Sequence, residues 1–250
     1  HHLLRRQRQM CIRDRPWRLR EAMESADRDG AQLLLAPEGT LPVKFGLEQG
    51  GGIPLISGGF RFVAGQQRSS LLLMTSQTGP SSSIDKHRLV PLGEWAPSLP
   101  GLAGLSAVGG LQSGEPSRLW RWGGPPAAVA ICYEISNGTA LAEAVANGAQ
   151  WILAAANLDP YPLLLQRQFL ALAQLRSLET ARPLVSVANT GPTALIADRG
   201  LVEAKLPAML PGLLPVRVES VQGMTLYAVW REWPLWLMVL VAFGALLKTR

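Results

Sequence analysis

Ala130-Ile131-Cys132-Tyr133-Glu134-Ile135 is the stretch from which the fold of this 250-residue chain is read. The apolar run Ala127 to Ile131 leads into it, rich in small and β-branched residues, and reads as a buried strand. A cysteine at the end of such a strand, followed by a tyrosine and an acid, sits where a sheet edge presents a nucleophile. Two readings of Cys132 stand at this point: a small buried hydrophobe, as many free cysteines are, or a reactive thiol whose character depends on its electrostatic surroundings.

Outward from that strand, short apolar runs alternate with helical patterns. Trp151 to Ala155 is a second buried strand, and Leu184 to Ala188 and Thr193 to Ala197 are two more. The last two are joined by Asn189-Thr190-Gly191-Pro192 as a hairpin, and Asp198-Arg199-Gly200 is the next turn. Helices are expected over Thr139 to Asn147, with Leu141, Ala144 and Val145 facing in, and over Leu164 to Thr180, with arginines and glutamines on its outer side. Toward the N-terminus, Trp17 to Asp29 reads as a helix with Leu19, Ala22, Met23 and Ala26 on one face, ended by Gly30. Strands follow at Gln32 to Ala36, Ile53 to Phe62 and Ser70 to Thr75. The pair Gly58-Gly59 marks a place where the backbone passes something closely. Gly79 to Ser83 reads as a turn, Ile84 to Pro97 as an ordered loop, and Leu213 to Val218 as a last strand. Ser98 to Gly114, rich in glycine and leucine, reads as a flap or lipid-facing loop. The alternation argues an α/β domain.

The totals narrow the chemistry. The three histidines, two of them at the N-terminus, argue against a histidine metal site or a Ser-His-Asp triad, and the two cysteines have no metal-motif spacing. No metal site is expected, and catalysis must lean on Cys, Lys, Glu or Asp. Much of the net charge of +6 lies in the first twenty residues, without aromatic interleaving, which argues against nucleic acid and for a basic segment beside a membrane. Residues 1–20 are therefore set apart; the run Arg6 to Arg15, Cys11 included, reads as a cloning or assembly scar and is left out of the fold. The 48% hydrophobic content is high for a wholly soluble protein. Residues 233–250 are richer still: Trp233 to Leu247 is almost wholly apolar, with two tryptophans at one end and Lys248-Thr249-Arg250 at the other. A buried core helix and a membrane helix both fit. Apolarity on all faces and the flanking groups favour the membrane helix, with Lys248 and Arg250 on the cytoplasmic side.

Three positions at strand ends offer one coherent chemistry. Glu38 lies in Pro37-Glu38-Gly39-Thr40 after the first strand, Lys86 opens the loop to Pro97, and Cys132 closes its strand. Each also has a bland reading: alone, Glu38 is a solvated loop acid. Together, a carboxylate can take the thiol proton, and an ammonium can stabilise thiolate and oxyanion. Such a trio suits acyl transfer through a thioester.

Glu, Lys and Cys in this order and these contexts resemble the nitrilase superfamily. Within it, Lys86-His87-Arg88-Leu89-Val90-Pro91-Leu92-Gly93-Glu94 and Cys132-Tyr133-Glu134 resemble the apolipoprotein N-acyltransferase family, over about Leu33 to the C-terminus. The resemblance implies a nitrilase-like αββα sandwich over residues 21–230 with a C-terminal transmembrane helix. It implies Glu38 as general base, Lys86 as oxyanion stabiliser and Cys132 as nucleophile. Glu94 and Glu134 would orient Lys86 and the thiol, and Tyr133 would shape the site. The implied partners are a phospholipid acyl donor, the diacylglyceryl-cysteine N-terminus of an apolipoprotein as acceptor, and the bacterial inner membrane, with the catalytic domain on its periplasmic side. The family's several membrane helices before this domain are absent here, so the chain reads as a fragment. Ile84 replaces an aromatic residue usual two positions before the lysine. Asn157-Leu158-Asp159-Pro160-Tyr161 departs from the family's Ser-Asn-Asp and aromatic pair, so acceptor contacts there are expected to differ. A soluble nitrilase or amidase using the same trio, and an inactive membrane-tethered binding module, are the competing expectations.

Overall fold

The computed structural model describes residues 18–41, 52–76, 79–91, 93–95, 110–159, 161–207 and 209–248. Two sheets stack face to face with helices on both outer sides. The first sheet has the order β1-β2-β3-β4: β1 (Leu34–Leu35), β2 (Leu55–Val63), β3 (Gln66–Ser76) and β4 (Gly79–Asp85). β1 runs parallel to β2, while β3 is antiparallel to both β2 and β4. The carboxyl ends of β1 and β4 therefore share one edge.

The second sheet has six strands. In spatial order they are β10 (Val202–Lys205), β9 (Ala194–Ile196), β8 (Leu184–Ala188), β7 (Trp151–Ala156), β6 (Ala127–Ile131) and β5 (Leu119–Trp120). β6, β7 and β8 are parallel neighbours, and β5, β9 and β10 complete the edges antiparallel. Every residue of β6 and β7 is buried, as expected of parallel strands covered on both faces.

Alternation along the strands builds the layers. Ala127, Val129 and Ile131 of β6, with Trp151, Leu153 and Ala155 of β7, point to the first sheet and meet Ile56, Leu71 and Leu73. Ala128, Ala130, Ile152 and Ala154 point the other way, against helices α2 (Gly138–Ala146) and α3 (Leu163–Thr180). On the far side, Leu55, Leu72 and Met74 meet Leu19, Met23 and Ala26 of α1, residues 18–28. The order is αββα, the architecture expected. The face read for α1 from Leu19, Met23 and Ala26 is the buried one.

Three sequence expectations are corrected, one of them in part. Residues 79–83 are not a turn but most of β4, an edge strand whose register shifts near Pro80. Leu213 to Val218 forms no strand; it is an extended strap whose Val216 and Val218 pack against the core between the sheets. The outer face of α3 does carry Arg167 and Gln168, but it also carries Leu163, Leu164, Leu165, Leu175 and Leu178, while Gln166 and Arg176 are buried. Gln166 is held inside by donating to the carbonyls of Leu158 and Tyr161. The membrane helix expected at the C-terminus is not seen at full length among the described residues. α5 (Trp233–Lys248) has 16 residues, about 24 Å at the α-helical rise. No helix among the described residues is long and apolar enough to cross a membrane. Nor is α5 a core helix, since its large side chains are exposed all round. Of the Ser98–Gly114 flap, only residues 110–114 lie within the described residues.

α5 is joined to the helical layer over the second sheet through α4 (Leu226–Trp230), which packs on α2 and α3. Just before α5, Glu232 accepts from Thr139 at the start of α2 and from the Tyr227 hydroxyl.

Candidate active site

Glu38, Lys86 and Cys132 each directly follow a strand or its short extension, at the carboxyl ends of β1, β4 and β6. The structure brings them into one buried cluster. Lys86 is fully buried, and its Nζ donates to Glu94 Oε1 at 2.6 Å and to Glu38 Oε1 at 3.1 Å. Glu94 holds its own loop through Oε2, which accepts the Val90 N–H at 2.9 Å. Glu38 accepts the backbone N–H of Asn157 on Oε2 at 3.1 Å and the Ser69 hydroxyl on Oε1 at 3.4 Å. Asn157 follows β7, and its side-chain oxygen accepts from Asn189, which follows β8. Five strand ends thus converge on one site.

Backbone packing sets where Glu38 stands. A Cβ built on Gly58 would lie 2.3 Å from Glu38 Cα and 2.6 Å from the Pro37 oxygen. The close passage read from Gly58-Gly59 is the backbone that carries the carboxylate. The Gly58 N–H donates to the Pro37 carbonyl, and Gly39 takes a positive φ of 69° to complete the turn.

Cys132 opens a 3-10 turn, Cys132–Ser136, with φ of 52°. A non-glycine residue in this left-handed region costs about 1–3 kcal/mol and persists only where its surroundings enforce it. Glu134 does the enforcing. Its buried carboxylate accepts the Ile131 N–H at 2.9 Å on Oε2, and the N–H groups of His87 and Arg88 at 2.8 and 3.0 Å on Oε1. Arg118, also buried, donates to both carboxylate oxygens and to the Asp85 carbonyl. Glu134 therefore ties the strand end bearing the thiol to the loop bearing the ammonium, rather than touching the trio itself. Tyr133 lies at the exposed rim, 40% accessible, with the Arg88 guanidinium carbon 5.2 Å from its ring centroid.

Electrostatics follow from one cation among two carboxylates. Burial pushes the Cys132 thiol up, Glu38 and Glu94 push it further, and Lys86 only partly opposes them, so it stands at about 12. A hydrogen bond with Glu38 also keeps the proton on sulfur. Burial pulls the Lys86 ammonium down, but Glu38, Cys132 and Glu94 more than offset this and hold it above its ordinary value. The resting site is a protonated thiol beside an acceptor carboxylate and a fixed ammonium. Beneath it, burial pushes Asp85 up, but Arg61, Ser70 and Arg68 hold its carboxyl down at about 2, bracing the strand end before Lys86. Among the described residues, no group of three or more His, Cys, Asp or Glu side chains could hold a metal ion.

Sequence reasoning missed Ser69 and Arg118, and it marked the Asn157 segment only for acceptor contacts, not for holding Glu38. Asn157 acts through its backbone N–H, which no side-chain pattern reveals. Arg118 meets Glu134 only because β5 lies beside β6.

No family model matches the chain. It is 58% identical over 223 residues to an apolipoprotein N-acyltransferase from Prochlorococcus marinus (strain MIT 9313), covering 88% of this chain and 45% of that protein. It is 54% identical over 214 residues to an apolipoprotein N-acyltransferase from Parasynechococcus marenigrum (strain WH8102), covering 84% and 46%. The chain thus spans about half the length of the curated relatives it matches. Among solved structures it is similar to a cysteine-to-alanine mutant of an amidase from the nitrilase superfamily of Nesterenkonia AN1. The TM-score is 0.61 at 18% identity, over 80% of this chain and 82% of that one. Another structure of that amidase, with TM-score 0.60 at 19% identity over 80% and 82%, bears the acetamide moiety of fluoroacetamide at its active site cysteine. By sequence the chain is a homologue of the apolipoprotein N-acyltransferases over about half of their length, and its fold matches that of an amidase from the nitrilase superfamily.

Proposed function

We propose that this chain carries the catalytic site of an N-acyltransferase. It moves a fatty acyl chain from a phospholipid, through a thioester on Cys132, to the N-terminal diacylglyceryl-cysteine of an apolipoprotein. The observation that carries this reading is the buried Lys86 ammonium between Glu38 and Glu94, beside a thiol held protonated.

In the first half-reaction the Cys132 sulfur attacks the ester carbonyl and its proton passes to Glu38. Oxyanion charge develops beside Lys86 Nζ, a preorganised donor in a site of low dielectric. Collapse breaks the ester C–O bond, and Glu38 returns the proton to the departing lysophospholipid oxygen. In the second half, the acceptor's α-amine attacks the thioester, Glu38 takes the amine proton, and the C–S bond breaks. The sulfur recovers its proton, leaving an amide. Glu94 and Glu134 act as positioning residues, for Lys86 and for the two loops respectively, and Tyr133 shapes the rim. Glu38, Lys86 and Cys132 need no cofactor for this, because the thioester stores the acyl group.

The reading places the chain at the bacterial inner membrane, with the site on the periplasmic side. Support comes from α5, whose large side chains are 49–75% exposed from Trp233 to Leu247. An apolar helix exposed on all faces suits lipid, although at 16 residues it is shorter than the roughly 20 of a full span.

Intact-protein mass spectrometry after incubation with phospholipid in detergent micelles tests the chemistry. An acyl mass on the wild type, removed by hydroxylamine and absent from Cys132→Ala, is the expected result. A thiol that alkylates readily, takes no acyl mass and supports ammonia release from amides would replace this reading with an amidase.

A further inference from the structure

Arg88 is the one arginine of the site's immediate frame without an anionic partner among the described residues. Arg118 is paired with Glu134, and Arg61 and Arg68 with Asp85. The Arg88 guanidinium instead lies over the Tyr133 ring. A guanidinium offers a planar fork of N–H donors suited to a two-oxygen anion, and no carboxylate among the described residues pairs with this one.

Its position is fixed, not merely exposed. The Arg88 N–H is bound by the buried Glu134 carboxylate that also binds Ile131, the residue before Cys132. The ring beneath the guanidinium belongs to the residue after Cys132. Both supports of the cation are therefore built into the turn that presents the thiol. A cavity of about 200 Å³ with a mixed polar and apolar lining opens beside it, walled by Arg88, Arg118, Asn137 and Thr139 and by the carboxylates Glu134 and Glu143.

The geometry points to Arg88 as the residue that receives the head-group phosphate of the acyl donor. This deepens the acyl-transfer reading and rests on it. In a glycerophospholipid the ester under attack and the phosphate diester share one glycerol, so a carbonyl at Cys132 leaves the phosphate at the rim. The diacylglyceryl-cysteine acceptor has no phosphate, so Arg88 distinguishes the donor half-reaction from the acceptor half. The cation–ring contact with Tyr133 holds the cation ready without neutralising it.

The test is single-turnover acylation of Cys132, read by mass, from two donors in neutral detergent: phosphatidylethanolamine and p-nitrophenyl palmitate, which lacks phosphate. The quantity compared is the ratio of the two rates, which cancels any general loss of folded protein. Arg88→Gln is expected to lower that ratio about 10- to 100-fold, the scale of a charged hydrogen bond, and Arg88→Lys to recover part of it. A ratio within about twofold of wild type in Arg88→Gln overturns the assignment. Inhibition of the p-nitrophenyl reaction by inorganic phosphate in wild type but not in Arg88→Gln, with the ratio unchanged, assigns Arg88 to free phosphate and also overturns it. Wild type acylated by the aryl ester and never by phospholipid sinks the phospholipid reading itself, a result distinct from a failure of Arg88 alone.

Discussion

Arg118 donates to both carboxylate oxygens of Glu134 at 3.1 Å, with both side chains almost fully buried. Removing one partner of a buried pair strands the other charge. Arg118→Ala is expected to cost about 3–5 kcal/mol in urea-induced unfolding. Replacing both partners with apolar residues should not restore that stability, because the N–H groups of His87, Arg88 and Ile131 would lose their acceptor. Recovery to wild-type stability in the double variant would show that the carboxylate does not organise the loops.

Glu38→Gln and Lys86→Ala remove the proton acceptor and the ammonium from one cluster. Each is expected to slow Cys132 acylation at least ~100-fold. Lys86→Ala also leaves Glu38 and Glu94 with no cation between them, so it should be the less stable of the two. Single-turnover rates and thermal unfolding measure both effects. Near-normal turnover in either variant would break the assignment of roles.

The thiol titrates in a definite direction. Its pKa is about 12 in the folded chain, against about 8.5 in an unfolded one. The folded state binds the proton more tightly, so the stability this group contributes is complete below about pH 8.5 and is lost as pH rises toward 12. Wild type should therefore lose stability relative to Cys132→Ala as pH is raised from 8.5 to 10.5, a window set by those two values. Iodoacetamide alkylation of native protein should keep rising with pH across it. A plateau near pH 8.5 would mean an ordinary thiol.

Gly58→Ala asks whether the backbone beneath Glu38 has room. The added methyl would meet Glu38 Cα at 2.3 Å, a backbone atom with no rotamer to yield. Acylation is expected to fall more than about 10-fold, since even a 1 Å misplacement can cost about 10²-fold. Gly59→Ala would meet mainly the side chains of Leu72 and Leu41 and should leave acylation closer to wild type. Equal losses in the two variants would argue against a specific role for the Gly58 passage.

The central strands were legible because their burial is written into composition. β6 and β7 are covered on both faces, so they read as unbroken apolar runs. β4 was not, since Gly79-Pro80-Ser81-Ser82-Ser83 has turn composition and becomes a strand only by pairing with β3. Leu213 to Val218 misled in the opposite direction: its apolar residues pack as a strap without a sheet partner. Glu38, Lys86 and Cys132 were legible as strand-end residues and through family resemblance. What could not be read was how they are held. The Asn157 N–H, the Ser69 hydroxyl and the Arg118–Glu134 pair depend on neighbours distant in sequence, and nothing local encodes them.

The cluster of Lys86, Glu38 and Glu94 carries one more negative than positive charge while the thiol is neutral. In the proposed cycle that total never changes. When the sulfur attacks, its proton lands on Glu38 while an equal charge appears on the substrate oxygen. When the intermediate collapses, the oxyanion charge is discharged into the breaking C–O bond and Glu38, giving its proton to the lysophospholipid oxygen, regains its own. The surrounding low-dielectric shell meets the same net charge in the resting enzyme, the tetrahedral adduct and the thioester. In such a cycle one proton leaves with the lysophospholipid and the next arrives with the acceptor amine, so the proposed turnover draws on its substrates rather than on bulk water.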